Sequence, residues 1–368
     1  MLDTFPAPHQ DRHKAGFSDY GTVCVMPVCF ALLVWFLRGQ AGPFWQWNLL
    51  DPAYFYLLDS LNLLNGDPPG HIYHPGVTVH VFGALMIKLR WLLAGGGAAG
   101  DVLAQPEVYL SWISDGYIVL NALALLVVGV VARCVLGAWL PALACQLAPF
   151  MSTIVAKHAY LPKPESMLVF ATCMLTVLAL ATCRDGLSTA ARDRMAIGFG
   201  IVAGFVAATK VTAVPVLVLP LFVLRGWRPI MIYAASSLAA FALFFAPAFG
   251  AIGAFVEYMT KVAQNTGPYG SGGQGVVDLS AYPDAFVKIL KRPSLKVPLA
   301  LSAVALSVSW FRARLGASVA RSEVWLVIGI GAAQLAQTML VAKQPTAFYM
   351  IPSYMLAAVS VLFSIRLL

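Results

Sequence analysis

An all-α fold, a polytopic membrane helix bundle, is predicted by three observations. Apolar runs about as long as a bilayer is thick recur down the chain, charged residues gather between those runs, and the composition lacks the polar surface that a globule in water needs. Of the 368 residues, 60% are hydrophobic and 11% charged, against roughly a quarter charged in soluble domains. The net charge of +8 would suit nucleic acid, but the 24 Lys and Arg are dispersed between apolar runs rather than collected on one face. No nucleic-acid partner is therefore expected. Cys24, Cys29, Cys145, Cys173 and Cys183 lie within apolar runs and Cys134 sits beside Arg133. With no CxxC pair, neither a disulfide framework nor a thiolate metal site is indicated.

The elements follow in chain order. The first uncharged run, 20–37, is longer than a signal-peptide core and has no evident cleavage site, so it reads as a retained first span. Next comes the polar stretch 50–75, LDPAYFYLLDSLNLLNGDPPGHIYHP. Asp51 before Pro52 offers an N-cap and a first-turn proline, and Tyr54, Leu57, Leu58, Leu61 and Leu64 recur at helical spacing until Gly66. A short amphipathic helix lying on the bilayer is expected there. The run 76–87 is halted by Lys88 and Arg90 and reads as re-entrant or interfacial, inside a first outer loop of about 38–115. Counting it as a full crossing would throw Arg184, Arg192, Arg194, Arg312, Arg314 and Arg321 outside, against the positive-inside rule.

Spans are then expected at 116–132, 134–156, 166–183, 229–256, 297–311, 324–342 and 344–365. The run 195–224 is broken only by Lys210; because arginines precede and follow it, it reads as a tight hairpin that turns near that lysine. The expected result is about ten transmembrane helices in one domain over 1–368, with a glycine-rich outer loop at 257–296, no separate soluble domain and both termini in the cytoplasm.

Under this topology the inner cations are arginines apart from Lys14, whereas the outer ones are lysines apart from Arg38, Arg90 and Arg292. Compact ammonium groups on the outer face suit phosphate. Lys261, Lys288, Lys291 and Lys296 read as solvating long loops. Lys157, Lys163, Lys210 and Lys343 instead stand at the outer mouths of helical pairs. Five outer segments converge if the spans form a bundle. Beside the Asp51 loop these are 157–166, with His158, Tyr160 and Glu165 stiffened by Pro162 and Pro164; 208–213; 265–278, where Tyr269 can stack on a sugar and glycines such as Gly270 free backbone N–H groups for an anion; and 343–349, with Tyr349. Asp51 can cap its helix, face a substrate, or do both. His71 and His74, with Asp67 nearby, have spacing that suits a divalent metal, ligand hydrogen bonds or a plain polar loop. No Walker loop, GxSxG elbow, HExxH or dinucleotide fingerprint is present, so no soluble nucleotide cofactor is expected.

The order of these features resembles the GT-C superfamily of integral-membrane glycosyltransferases, which includes protein O-mannosyltransferases and lipid A aminoarabinose transferases. The resemblance lies in a first span, the acidic motif Leu50-Asp51-Pro52-Ala53-Tyr54, the segment from His74-Pro75-Gly76, a second outer acid in Lys163-Pro164-Glu165, the Thr-Lys turn between Gly204 and Ala213, and Lys343 to Pro352. It implies a polyprenyl-phosphate sugar donor and a lipid, glycan or protein acceptor, with transfer on the extracytoplasmic side of the cell (inner) membrane. It also implies Asp51 as base and Glu165 as second catalytic acid. Tyr54, His71, His74, Lys157, His158, Lys163, Lys210, Tyr269, Gly270, Lys343 and Tyr349 are the expected substrate contacts, and a divalent metal is an open requirement. Transport or flipping of an anionic lipid or sugar is one alternative, although no internal repeat is evident. A catalytically inactive binding or assembly subunit is another.

Overall fold

The computed structural model describes residues 21–46, 51–184 and 186–368. The N-terminal segment through Tyr20, one of the two ends expected in the cytoplasm, and Leu50 lie outside the described residues. In chain order the α-helices are α1 (Val25–Gln40), α2 (Ala53–Asn65), α3 (Val77–Ala94), α4 (Ala99–Ala104), α5 (Pro106–Leu136), α6 (Trp139–Gln146), α7 (Thr153–His158), α8 (Pro164–Ala181), α9 (Thr189–Thr209), α10 (Leu219–Val223), α11 (Trp227–Phe245), α12 (Ile252–Gln264), α13 (Tyr282–Leu290), α14 (Pro293–Arg314), α15 (Arg321–Val341) and α16 (Ile351–Leu367). Eight helical segments among the described residues are long and apolar enough to cross a membrane, α3 and the joined α11–α12 included. The chain is an all-helical integral membrane protein, and side chains such as Trp35 and Leu238 stay exposed on its flanks as lipid-facing groups do.

Three expectations about elements change. The helix after Gly76 does not stop at Lys88 but runs 18 residues to Ala94, because Lys88 is exposed and Arg90 lies 5.2 Å from the Tyr109 ring while Val79, Ala84 and Ile87 are buried. It lies along the first part of α5, with Trp112 donating to the Met86 carbonyl at 2.8 Å and Trp91 to Tyr109 at 3.1 Å. The helix expected from 116 begins ten residues earlier, at Pro106, where proline suits the first turn, and it extends 31 residues to Leu136. The single span expected at 134–156 is instead made in pieces. Gly137 (φ 75°) ends α5, Pro149 lies in a 3₁₀ turn, and Ser152 caps α7.

Buried polar side chains hold these pieces in place. Gln146 donates to the carbonyls of Val23 and Leu125, both at 2.9 Å, and Asn121 donates to Ala159 at 3.0 Å and Ser166 at 3.2 Å. The α9–α11 crossing is tight at Gly200 and Gly204; on Gly204 a Cβ would stand 2.4 Å from the Phe241 nitrogen. That is the small-residue approach by which helices pack in lipid. On the other flank Gln337 of α15 donates to the carbonyls of Tyr349 at 2.8 Å and Thr212 at 3.2 Å. It thereby ties α15 to the segment after the Lys210 turn and to the start of α16.

Candidate functional site

The site is assembled where an extended strap crosses a helix end. α9 stops at Thr209 and Lys210 is extended, with φ −161°; Pro75 pairs with Lys210 in an antiparallel bridge. Gly76 donates to the Thr209 carbonyl at 3.0 Å, Val211 donates to the His74 carbonyl at 3.0 Å, and the Thr78 and Thr209 hydroxyls are 2.7 Å apart. The turn expected near Lys210 is thus present, and it carries the His71–His74 loop with it.

Asp51 does not cap α2. Pro52 occupies the cap position and no side chain caps the helix, so the carboxylate is free to face the loop. Its oxygens lie 3.5 Å from His71 Nε2 and 3.9 Å from His74 Nε2. The same His74 nitrogen, Nε2, is hydrogen-bonded with the Tyr56 hydroxyl at 2.8 Å. Burial, above all, pushes both imidazoles below their ordinary range, with Lys210 the next cause at His74. Both are therefore neutral near pH 7. The loop is held by Asp59, which sequence reasoning did not single out. Its carboxylate accepts the backbone N–H groups of Gly70 at 2.7 Å and His71 at 2.9 Å, and lies 3.4 Å from His80 Nε2. Asp59 is buried on α2 next to exposed Leu58, so its position within an apolar helix face was the available signal.

Asp51, His71 and His74 bring one donor atom each within 4.8 Å of one another. His71 Nε2 is buried without a hydrogen-bond partner, and two imidazoles plus a carboxylate suit a divalent cation with an open position. The donor set includes Asp51 rather than Asp67, which is exposed and lies outside it.

Behind the cavity wall Lys210 donates to Glu165 Oε1 in a pair that is almost fully buried. Glu165 Oε2 has no hydrogen-bond partner among the described residues. Lys163, also buried, has its ammonium pushed down by burial, the larger effect, and partly restored by Glu165. Two ammonium groups therefore face one carboxylate, and the cluster keeps a positive balance. Lys210 additionally lies 4.6 Å from the Tyr349 ring and 5.5 Å from that of Phe348. His158 packs against Phe348 with ring centroids 5.0 Å apart.

A cavity of about 420 Å³ joins these parts, lined by Asp51, His71, His74, Lys210, Lys343 and Tyr349 together with Tyr73, Tyr258, Met259 and Tyr269. Tyr258 and Met259 come from α12, none of whose residues is buried. Lys343 donates to the Val262 carbonyl at 2.5 Å, which ties α12 to the end of α15. Tyr269 reaches the cavity from a backbone with φ 55°, a region a tyrosine adopts only at a cost. The 265–275 loop itself is closed. Gly267 donates to Ser271 at 2.8 Å and Gly275 to Gln264 at 2.8 Å, while Asn265 donates to the carbonyl of Gly270 at 2.8 Å. Gly270 is buried and shapes the loop rather than lining the cavity, so the expected anion cradle of free glycine N–H groups is not what Gly267 and Gly275 form.

Six expected site residues fall outside the cavity lining: Tyr54, Lys157, His158, Lys163, Glu165 and Gly270. Tyr54 donates to Glu107 at 2.6 Å, and burial with that bond raises its phenol to about 12. It braces α2 against α5. Lys157 is exposed and lies outside the cavity lining. Glu165 and Lys163 stand behind the lining. Comparison with family models, with curated proteins and with solved structures returns no match.

Proposed function

We propose that the protein is a membrane glycosyltransferase that moves a sugar from a polyprenyl-phosphate donor to an acceptor hydroxyl with inversion, on the extracytoplasmic face. One observation supports this reading above the others: a single cavity holds a carboxylate, two neutral histidines, ammonium groups and four tyrosines within reach of one phosphosugar. Asp51 takes the proton of the acceptor hydroxyl as that oxygen forms its bond to the anomeric carbon. The bond from the anomeric carbon to the phosphate oxygen breaks, and its electron pair leaves on the lipid phosphate.

The leaving group departs as a stable anion and needs charge stabilisation rather than a proton. Lys210 and Lys343 supply it beside low-dielectric walls. Glu165 acts through Lys210 as a positioning residue, holding the ammonium at the head of the cavity. Neutral His71 and His74 stand 3.5 and 3.9 Å from Asp51 and leave its charge unneutralised. Asp51, His71 and His74 are also the residues that would hold a divalent cation, which when bound would give a phosphate oxygen an electropositive partner. An apolar groove of about 310 Å³ begins at Thr78 and continues past Phe82, Leu120, Phe205 and Phe244, and it suits the polyprenyl tail.

Donor binding is the test. A polyprenyl-phosphate sugar should bind the purified full-length protein saturably, and Lys343→Gln should weaken that binding about tenfold, as loss of a charged hydrogen bond does. No saturable binding to the wild type overturns the proposal.

A further inference from the structure

A second cavity of about 350 Å³ lies at the other end of the bundle, lined by Arg184, Arg192, Arg225 and Arg321. α8 begins beside Glu165 and ends short of Arg184; α9 begins beside Arg192 and ends at Thr209; α15 begins at Arg321 and ends at the Lys343 wall. The two cavities are therefore a helix length apart, about 30 Å at 1.5 Å per residue.

The four guanidinium groups come from four separate segments, so helical periodicity does not account for their convergence. None of them has an ion pair among the described residues, and two described acids nearby are engaged elsewhere. Asp193 pairs with Arg228 at 2.9 Å, and Glu323 accepts from Arg366 at 2.7 and 3.1 Å. Arg225 lines the cavity from a strained backbone with φ 40°. The N-terminus of α15, a 21-residue helix, opens into the same space with no side-chain cap, adding the positive end of its dipole. All four arginine side chains are exposed at the cavity mouth, as orienting arginines are, but they converge on one space instead of being scattered. Arg321 and Trp325 are shared with an adjoining groove of about 780 Å³ that also presents Leu306, Trp310 and Val324.

We infer that this pocket binds a phosphate-bearing anion, with the aromatic groove placed to take the apolar chain of a phospholipid. Planar guanidinium forks match phosphate oxygens in pairs, and basic pockets between membrane helices hold anionic headgroups. The site is independent of the Asp51 cavity.

The experiment uses full-length protein in a neutral detergent and measures Kd for three probes: dihexanoyl phosphatidic acid, inorganic pyrophosphate and dihexanoylglycerol. Phosphatidic acid should bind at least tenfold more tightly than dihexanoylglycerol, and R184Q/R321Q should weaken it at least tenfold while Asp51→Asn leaves it unchanged. Phosphatidic acid tighter than pyrophosphate identifies a lipid headgroup; equal affinities identify a soluble phosphate; both support the site. Absence of saturable binding by either phosphate probe, equal binding of dihexanoylglycerol, or undiminished binding in R184Q/R321Q overturns it. If that variant does not fold, the single variant R184Q decides: it should weaken phosphatidic acid binding severalfold, and undiminished binding overturns the proposal.

Discussion

Replacing Glu165 by glutamine tests the buried pair on which the cavity's charge depends. Glu165 is 1% exposed and Lys210 3%, and among the described residues Lys210 has no other ion pair. The substituted amide would be nearly isosteric but uncharged, leaving the Lys210 ammonium buried beside Lys163 with no counter-ion. Breaking one partner of such a pair costs about 3–5 kcal/mol, a hundredfold or more in the folding equilibrium. Replacing both by neutral residues, as in E165Q/K210M, should recover most of that loss, because an apolar pair of similar volume often matches a buried ion pair. The assay is SDS-titration unfolding of purified protein, run as a double-mutant cycle with K210M. The coupling should exceed about 1 kcal/mol, within the range seen for residues in contact. An E165Q variant as stable as wild type, or a double variant no better than the single, would refute the account of Glu165 as the counter-charge that seats Lys210.

Gly204→Val should disrupt the α9–α11 crossing, since even one Cβ would meet backbone atoms at 2.4 and 2.6 Å; a loss of about 1–3 kcal/mol in the same unfolding assay is expected, and a neutral effect contradicts the close approach. His71 and His74 have folded-state pKa values below the unfolded ones. Their contribution to stability is therefore present above about pH 6.5 and is lost as pH falls from there toward the folded values, by up to about 1.4 kcal/mol per pH unit for each group. A stability curve flat between pH 7 and 5 would contradict their burial as neutral groups. Zinc or manganese titrated into the purified protein should bind one ion, with affinity at least tenfold lower in His71→Ala; equal binding in that variant removes the Asp51–His71–His74 trio as the metal site.

The bundle was legible because its signals are local. Apolar runs, proline at helix starts, and the Lys210 break between flanking arginines each report on a few neighbouring residues, and the α9 turn stands where the charge pattern put it. The convergence of Asp51, His71, His74, Lys210, Lys343, Tyr269 and Tyr349 on one cavity was legible only as a set of segments. What escaped depends on contacts distant in sequence. Glu165 meets Lys210 across 45 positions, and no periodicity predicts that it is a counter-ion facing away from the lining. Tyr54 turns to Glu107, 53 positions away. Asp51 leaves its helix uncapped because Pro52 takes the cap position, and its carboxylate lies beside His71 and His74 instead. α3 passes Lys88 and Arg90 because Lys88 is exposed and Arg90 lies over the Tyr109 ring, and long cationic side chains so placed need not end a helix.

Turnover with a defined polyprenyl-phosphate sugar and a hydroxyl acceptor, compared between wild type and Asp51→Asn at equal donor occupancy, tests the central claim most directly. Wild-type protein should transfer the sugar with inverted anomeric configuration, and D51N should bind donor normally while losing at least about a hundredfold in rate, the lower bound for removing a positioned base. Transfer by D51N at the wild-type rate would contradict the assignment of Asp51, and absence of transfer by wild type across donors and acceptors would contradict the proposed activity itself.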